Sequence, residues 1–140
     1  MTCLVLKLCL ITGAIMFPLK TLRAEHMQIK VKNTTYSVSL EDNNTTKALV
    51  KKLPLTLNMS DLHGNEKYYY FENSFPVTPE TIGQINAGDI MLFGDDCLVI
   101  FYKPFKTSYA YTRIGYIDNP SHLKDVLGSK NITVTFQRKE

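Results

Sequence analysis

Hydrophobic and polar residues alternate along much of the chain after residue 26. In residues 28–32 and 36–40 the apolar side chains recur at every second position, and Asn33-Thr34-Thr35 separates the two runs. A period of two places alternate side chains on opposite faces of a strand, so this pair predicts a β-hairpin. Further segments are predicted to be strands: residues 55–59, 67–71, 90–93, 97–102, 113–117 and 131–137.

Two short stretches have helical character instead. Asn43 or Asn44 can cap a helix that runs through residues 46–52, and a proline shortly afterwards ends it because the residue before proline is displaced from helical geometry. A second helix is predicted to begin at residues 119–121, where a proline fits the first turn, and to continue through Val126.

Two connections are long. Residues 72–87 and 103–112 contain prolines and little periodicity, so we expect surface loops of the kind that often shape a binding site. The remaining segments, about eight strands and two short helices within residues 27–137, predict a mainly β fold. A closed or nearly closed β-barrel fits them better than an open sheet, because closure leaves no edge strand exposed.

Three blocks of the sequence follow one another in an order typical of a known family. They are Leu53–Leu57 followed by Asp61 and Gly64–Lys67, then Gly88–Ile90 followed by Cys97–Lys103, and finally Ile114–Ile117. Together they resemble the bacterial cyclophilin-like domain over residues 27–137. The resemblance implies a compact, cyclophilin-like β-barrel with two helices, in a family whose members are mostly of unknown function.

Cyclophilins of the eukaryotic type are prolyl isomerases, but the segments typical of that activity are missing here. The sequence has no Phe-His-Arg strand, no Gly-Ser-Gln-Phe-Phe segment and no tryptophan. An isomerase must bind a twisted amide, which requires a donor aimed at that amide and an apolar pocket for proline. Arg113 is the candidate donor, since Arg138 lies next to the C-terminus. We therefore expect a non-catalytic domain, with a weak peptidyl-prolyl isomerase as the alternative.

Aromatic residues are concentrated on the predicted strands and in the two long loops. If both loops leave the barrel at the same rim, their rings can wall a pocket over the aromatic strands, with Arg113 as an orienting group. This hypothesis predicts a site for a small molecule or an extended peptide. Its residues are Tyr68, Tyr70, Phe75, Phe101, Tyr102, Phe105, Tyr109, Tyr111 and Arg113. The alternative is that these rings fill the core and fix the loops in place.

Other kinds of chemistry find less support. His26, His63 and His122 are scattered without the paired spacing of metal ligands, so neither a metal nor a cofactor is expected. Cys97 is predicted to be a small buried hydrophobe on a core strand. Because three of the 16 basic residues lie in the first 24 positions, the remaining 13 equal the 13 acidic residues, and nothing favours nucleic-acid binding.

The first 24 residues have the pattern of a hydrophobic leader. Residues 8–19 are largely apolar and follow Lys7, which matches a signal-peptide core and falls short of the roughly 20 residues of a membrane span. Cleavage after Leu22-Arg23-Ala24 predicts an exported protein, periplasmic or secreted, whereas an uncleaved leader predicts membrane anchoring through this segment alone. The alternative is translation from Met27, which predicts a cytoplasmic protein.

Overall fold

The computed structural model describes residues 13–17 and 26–140. The predicted leader, residues 1–24, therefore lies mostly outside the described residues, and its described part, residues 13–17, has no helix or strand. Among the helices of the described residues, none is both long enough and apolar enough to span a bilayer.

Nine strands and two helices make up the described part of the domain. In chain order they are β1 (Met27–Val31), β2 (Thr34–Leu40), α1 (Asn44–Lys51), β3 (Leu55–Leu62), β4 (Glu66–Tyr70), β5 (Glu80–Ile85), β6 (Asp89–Phe93), β7 (Cys97–Phe101), β8 (Phe105–Ile117), α2 (Leu123–Leu127) and β9 (Ile132–Arg138).

Eight of the strands close into an antiparallel barrel. Their order is β2-β1-β9-β3-β4-β7-β6-β8, and β2 pairs with β8 to close the ring. The predicted barrel of about eight strands with two short helices is thereby confirmed. The closing pair is short, from Val38 opposite Ile117 to Leu40 opposite Gly115. Gly115 is needed at this seam, because a Cβ there would lie only 2.2 Å from the backbone oxygen of Ser39.

Inward-facing side chains fill the barrel. Residues such as Ile29, Leu98 and Phe136 are almost fully buried in one continuous apolar cluster, as the alternation of their strands requires. Helix α1 adds the buried Leu49 to this core. Asn43 caps α1, since its side chain accepts a hydrogen bond of 2.8 Å from the backbone N–H of Thr46.

The prediction that residues 72–87 and 103–112 are loops is wrong for much of both segments. Glu80–Ile85 forms β5, and β8 begins at Phe105. The two pair in antiparallel fashion, from Glu80 opposite Tyr111 to Ile85 opposite Phe105. Only Ile85 is buried on β5, and the register of β5 against β8 shifts beside Gly83. The sequence of β5 therefore shows no hydrophobic alternation.

This pair of strand segments, β5 with residues 105–111 of β8, is called the arm below. It packs against the outer surface of the barrel through a second apolar cluster, in which Ile85 and Tyr111 of the arm meet Met91, Val99 and Phe101 of the barrel wall. Strand β7 is consequently buried on both faces. That double burial explains why its sequence is a continuous apolar run rather than an alternation.

Candidate functional site

A pocket of about 240 Å³ opens on the outside of the barrel, between its wall and the arm. Strands β4, β7 and β6 supply the floor and two sides, the arm supplies a further wall, and the end of β3 reaches the rim. The residues that line it are Leu62, Glu66, Tyr68, Tyr70, Phe93, Cys97, Val99, Tyr109 and Tyr111.

The pocket is a groove because small side chains lie between large ones across three adjacent strands. Cys97 of β7 is paired with Tyr70 of β4 on one side and with Phe93 of β6 on the other. In the next row Val99 lies beside Tyr68. Since neighbouring strands are about 4.8 Å apart, the backbones of β4 and β6 stand roughly 10 Å apart across the small residues of β7.

The aromatic rings form two groups that face the groove. On one side Tyr68 and Tyr70 meet edge to face, with centroids 5.7 Å apart. On the other side the ring of Phe93 lies 5.9 Å from that of Tyr109 and 5.5 Å from that of Tyr111. Tyr70 and Tyr109 keep 60% and 63% of their surface exposed, so they form the mouth of the pocket.

Glu66 is the one charged residue of the lining. Burial raises the pKa of its carboxyl group, the positive charge of His63 opposes that shift, and the negative charge of Asp61 adds to it. In the described part of the chain no basic side chain forms an ion pair with Glu66. The pocket therefore contains a half-buried carboxylate that forms no ion pair within the described residues.

Cys97, on the floor, has the character of a hydrophobe. The pKa of its thiol is raised to about 11, chiefly by burial and further by the negative charges of Asp96 and Glu66, while a hydrogen bond with Tyr70 works in the opposite direction. A thiol with such a pKa is protonated at neutral pH and is a poor nucleophile. Within residues 13–17 and 26–140, no three His, Cys, Asp or Glu side chains lie close enough together to hold a metal ion.

Four of the predicted site residues meet at the pocket: Tyr68, Tyr70, Tyr109 and Tyr111. The arm brings the last two over the barrel wall, so the two long segments do reach the same rim, as paired strands rather than as loops. The predicted set of site residues lacks Phe93 and Glu66, which also line the pocket. Their part in the pocket depends on which face of its strand each residue occupies. That face can be assigned only when the register of β4, β7 and β6 is known.

Three other predicted aromatic residues lie elsewhere. Phe75 is buried in the cluster that fills the barrel, where its ring lies 5.0 Å from that of Phe71. Phe101 and Phe105 lie beneath the arm, with centroids 5.6 Å apart, and neither lines the pocket. These rings hold the arm and the neighbouring loop in place, as the alternative interpretation of the sequence expected.

Tyr102 and Arg113 also lie away from the pocket. The hydroxyl of Tyr102 donates a 2.5 Å hydrogen bond to Asp61 on the inner side of the barrel wall. Arg113 is part-exposed, and its Nε donates to the carboxylate of Glu80 at 2.5 Å. Arg113 therefore joins β8 to β5 through an ion pair and does not line the pocket.

A buried polar network inside the barrel was not foreseen. Lys67 has no exposed surface, and its Nζ donates to Asp61 at 2.7 Å, to the carbonyl of Gly128 at 2.8 Å and to that of Lys130 at 2.6 Å. Burial alone would raise the pKa of Asp61, but hydrogen bonds from Lys67, Tyr102 and the backbone outweigh it and lower that pKa. Because every ammonium proton is used, this network ties segments of the barrel together.

The fold and the groove thus define a small antiparallel barrel domain with a pocket on its outer wall. Residues 29–137 match the sequence profile of the cyclophilin-like family, so the chain belongs to that family, and the resemblance read from the sequence is confirmed. No curated protein matches the chain.

A solved structure shares this fold. It is the solution structure of the hypothetical protein AF2241 from Archaeoglobus fulgidus, which is 19% identical in sequence and superposes with a TM-score of 0.55. The match covers 82% of this chain and 95% of that one. At this identity the likeness shows the fold alone.

Proposed function

We propose that this protein is a non-catalytic binding domain, which holds a small molecule or one side chain of an extended peptide in the pocket between the barrel and the arm. The observation that carries the proposal is the convergence of exposed apolar residues on one cavity. Four large hydrophobic side chains remain exposed and line the pocket: Leu62, Tyr70, Phe93 and Tyr109. Clustered exposed apolar surface of this kind marks ligand-binding sites.

The lining also supports binding rather than catalysis. The Cys97 thiol is protonated at neutral pH because of its raised pKa, so it is not activated as a nucleophile. The guanidinium of Arg113 is engaged with Glu80 outside the pocket. A volume of about 240 Å³ suits a small ligand or a single side chain of a longer one.

The test is a screen of a chemical fragment library by two-dimensional NMR with the full-length protein. Compounds that bind are expected to shift the backbone amides of β4, β7 and the arm. Tyr70→Ala removes one wall of the mouth, so it should lower the affinity for these compounds about tenfold. This corresponds to about 1.4 kcal/mol of binding free energy. Tyr116→Ala is the matched control, because Tyr116 is 50% exposed and lies outside the pocket.

The proposal is wrong if the compounds shift amides away from the pocket. It is equally wrong if Tyr70→Ala leaves their affinity unchanged, or if no compound in the library binds.

A further inference from the structure

The pocket combines aromatic rings and negative charge, and this combination selects among ligands. Five aromatic rings from β4, β6 and β8 surround it, together with the carboxylate of Glu66. An aromatic ring carries negative potential on its face, so a cation held over several rings is attracted by each of them. From this arrangement we infer that the ligand is an organic cation with an alkylated ammonium group, such as a trimethylammonium head. The inference rests on the proposed function.

The charges around the groove favour a cation over an anion. Glu66 is the one charged side chain of the lining, and no Lys, Arg or His is found among the described residues that line it. Asp96, next to Cys97 on the floor, adds to the negative potential felt there. An anionic ligand would find no positive charge in the lining, since His63 acts on Glu66 from outside it, and a neutral ligand would leave Glu66 without an ion pair.

Glu66 lacks the ion pair that two other acids of the domain form. Asp61 pairs with Lys67 at 2.7 Å, and Glu80 pairs with Arg113 at 2.5 Å. The carboxylate of Glu66 has no such contact within the described residues, although burial makes its charge costly. A cation from outside the protein would supply the missing partner.

The composition of the lining favours an alkylated ammonium group over a primary amine or a metal ion. A primary ammonium has three N–H donors and needs acceptors for them, as the buried Lys67 illustrates with its three contacts. The pocket is mostly apolar and, apart from the hydroxyls of its four tyrosines, offers a single carboxylate as acceptor. Methyl groups on nitrogen remove the donors, spread the charge and pack against ring faces, which is how aromatic cages recognise quaternary ammonium ligands.

The test compares choline with 3,3-dimethylbutan-1-ol, its uncharged isostere, in which carbon replaces the quaternary nitrogen. Both are titrated into the full-length protein and followed through the amide resonances of the pocket strands. Choline is expected to bind at least about tenfold more tightly than the alcohol, since cation–π attraction and pairing with Glu66 act on choline alone.

Variants separate the contribution of the Glu66 charge from that of the aromatic rings. Glu66→Gln and Tyr70→Leu should each lower the affinity for choline about tenfold and change the affinity for the alcohol less. Tyr70→Phe should retain choline binding because it keeps the ring, and Tyr116→Leu is the control for an exposed tyrosine outside the pocket.

The outcomes distinguish this inference from the function on which it rests. Equal binding of choline and the alcohol, unaffected by Glu66→Gln, would overturn the cation inference and leave pocket binding standing. So would failure of choline to shift pocket amides while other library compounds shift them. If neither choline nor any library compound shifts those amides, both proposals are wrong.

Discussion

Glu66 and Lys67 are neighbours in the sequence with opposite charges, yet they lie on opposite faces of β4. The period of two sends Lys67 into the barrel, where Asp61 and two carbonyls satisfy its ammonium group. The same period sends Glu66 outward into the groove, where no described basic side chain pairs with it. A buried charge that is fully paired supports the fold, whereas an unpaired one costs stability, and the proposed ligand site would account for this cost.

The cost of Glu66 leads to a prediction about stability and pH. The pKa of Glu66 is raised from its usual value of 4.5, chiefly by burial, so the folded state binds the proton more tightly than the unfolded state. The free-energy penalty of burying the ionised Glu66 carboxylate is therefore absent at pH values below 4.5. It develops as the pH rises through the folded-state pKa. We expect Glu66→Gln to be more stable than the wild type at pH 7 and equally stable near pH 3.

Urea unfolding at the two pH values measures this difference. Because the chain has eight tyrosines and no tryptophan, tyrosine fluorescence can report the transition. Agreement of the two proteins at the acid pH is the internal control. A variant less stable than the wild type at pH 7 would mean that the Glu66 carboxylate has a stabilising partner, and would contradict the argument.

At the residue scale the sequence identified ring-bearing positions but not the face on which each ring lies. Tyr102 and Phe101 are adjacent, so one enters the barrel and the other lies under the arm, and neither reaches the groove. Tyr68 and Tyr70 share a face, as alternation requires, but which face depends on register. A shift of one residue in β4 would exchange Glu66 with Lys67 and reverse the chemistry of the pocket.

At the scale of elements, the hairpins and helices were predictable because their signals are local. Asn43 before α1 and the alternation in β1 and β2 need no knowledge of the rest of the chain. Strand β5 and the first part of β8 were not predictable in this way. Each is held by a partner at least 20 residues away in the sequence. Strand β5 buries only Ile85 strongly, so neither periodicity nor turn residues mark it.

The closing seam between β2 and β8 also gives a prediction. A Cβ at position 115 would come within 2.2 Å of the Ser39 carbonyl oxygen, and the neighbouring strand would have to move. We expect Gly115→Ala to lower the free energy of unfolding by about 3 kcal/mol, the upper end for overpacked sites. Hydrogen exchange should accelerate at the amide of Glu41, which donates to the carbonyl of Ile114 beside the seam.

Gly94→Ala is the control for this prediction. Gly94 has a φ of 60° and nothing within 4 Å of the added Cβ, so alanine there carries only the backbone cost of about 1–2 kcal/mol. Exchange at Glu41 should be unchanged in this variant. If Gly115→Ala unfolds no more easily than Gly94→Ala, the seam is more tolerant than its geometry indicates.

The architecture of the whole molecule explains why its pocket is external. An eight-stranded barrel has an interior just wide enough for side chains, and here Ile29, Leu98 and Phe136 fill it. The pocket therefore lies on the outer wall, which by itself is only a gently curved sheet. The arm turns that surface into a groove by standing over β6 and β7, and the small residues of β7 leave room beneath it.

An external groove on a cyclophilin-like barrel makes prolyl isomerisation the activity to be tested directly. A thousandfold acceleration requires about 4 kcal/mol of transition-state stabilisation, which a donor aimed at the twisted amide would have to supply. The candidate donor, Arg113, is paired with Glu80 and does not line the pocket. We therefore expect the full-length protein not to accelerate cis/trans exchange of an X-Pro test peptide, measured by NMR exchange spectroscopy beside an active cyclophilin. Acceleration that Arg113→Ala abolishes and Lys106→Ala preserves would contradict this expectation and establish the isomerase alternative.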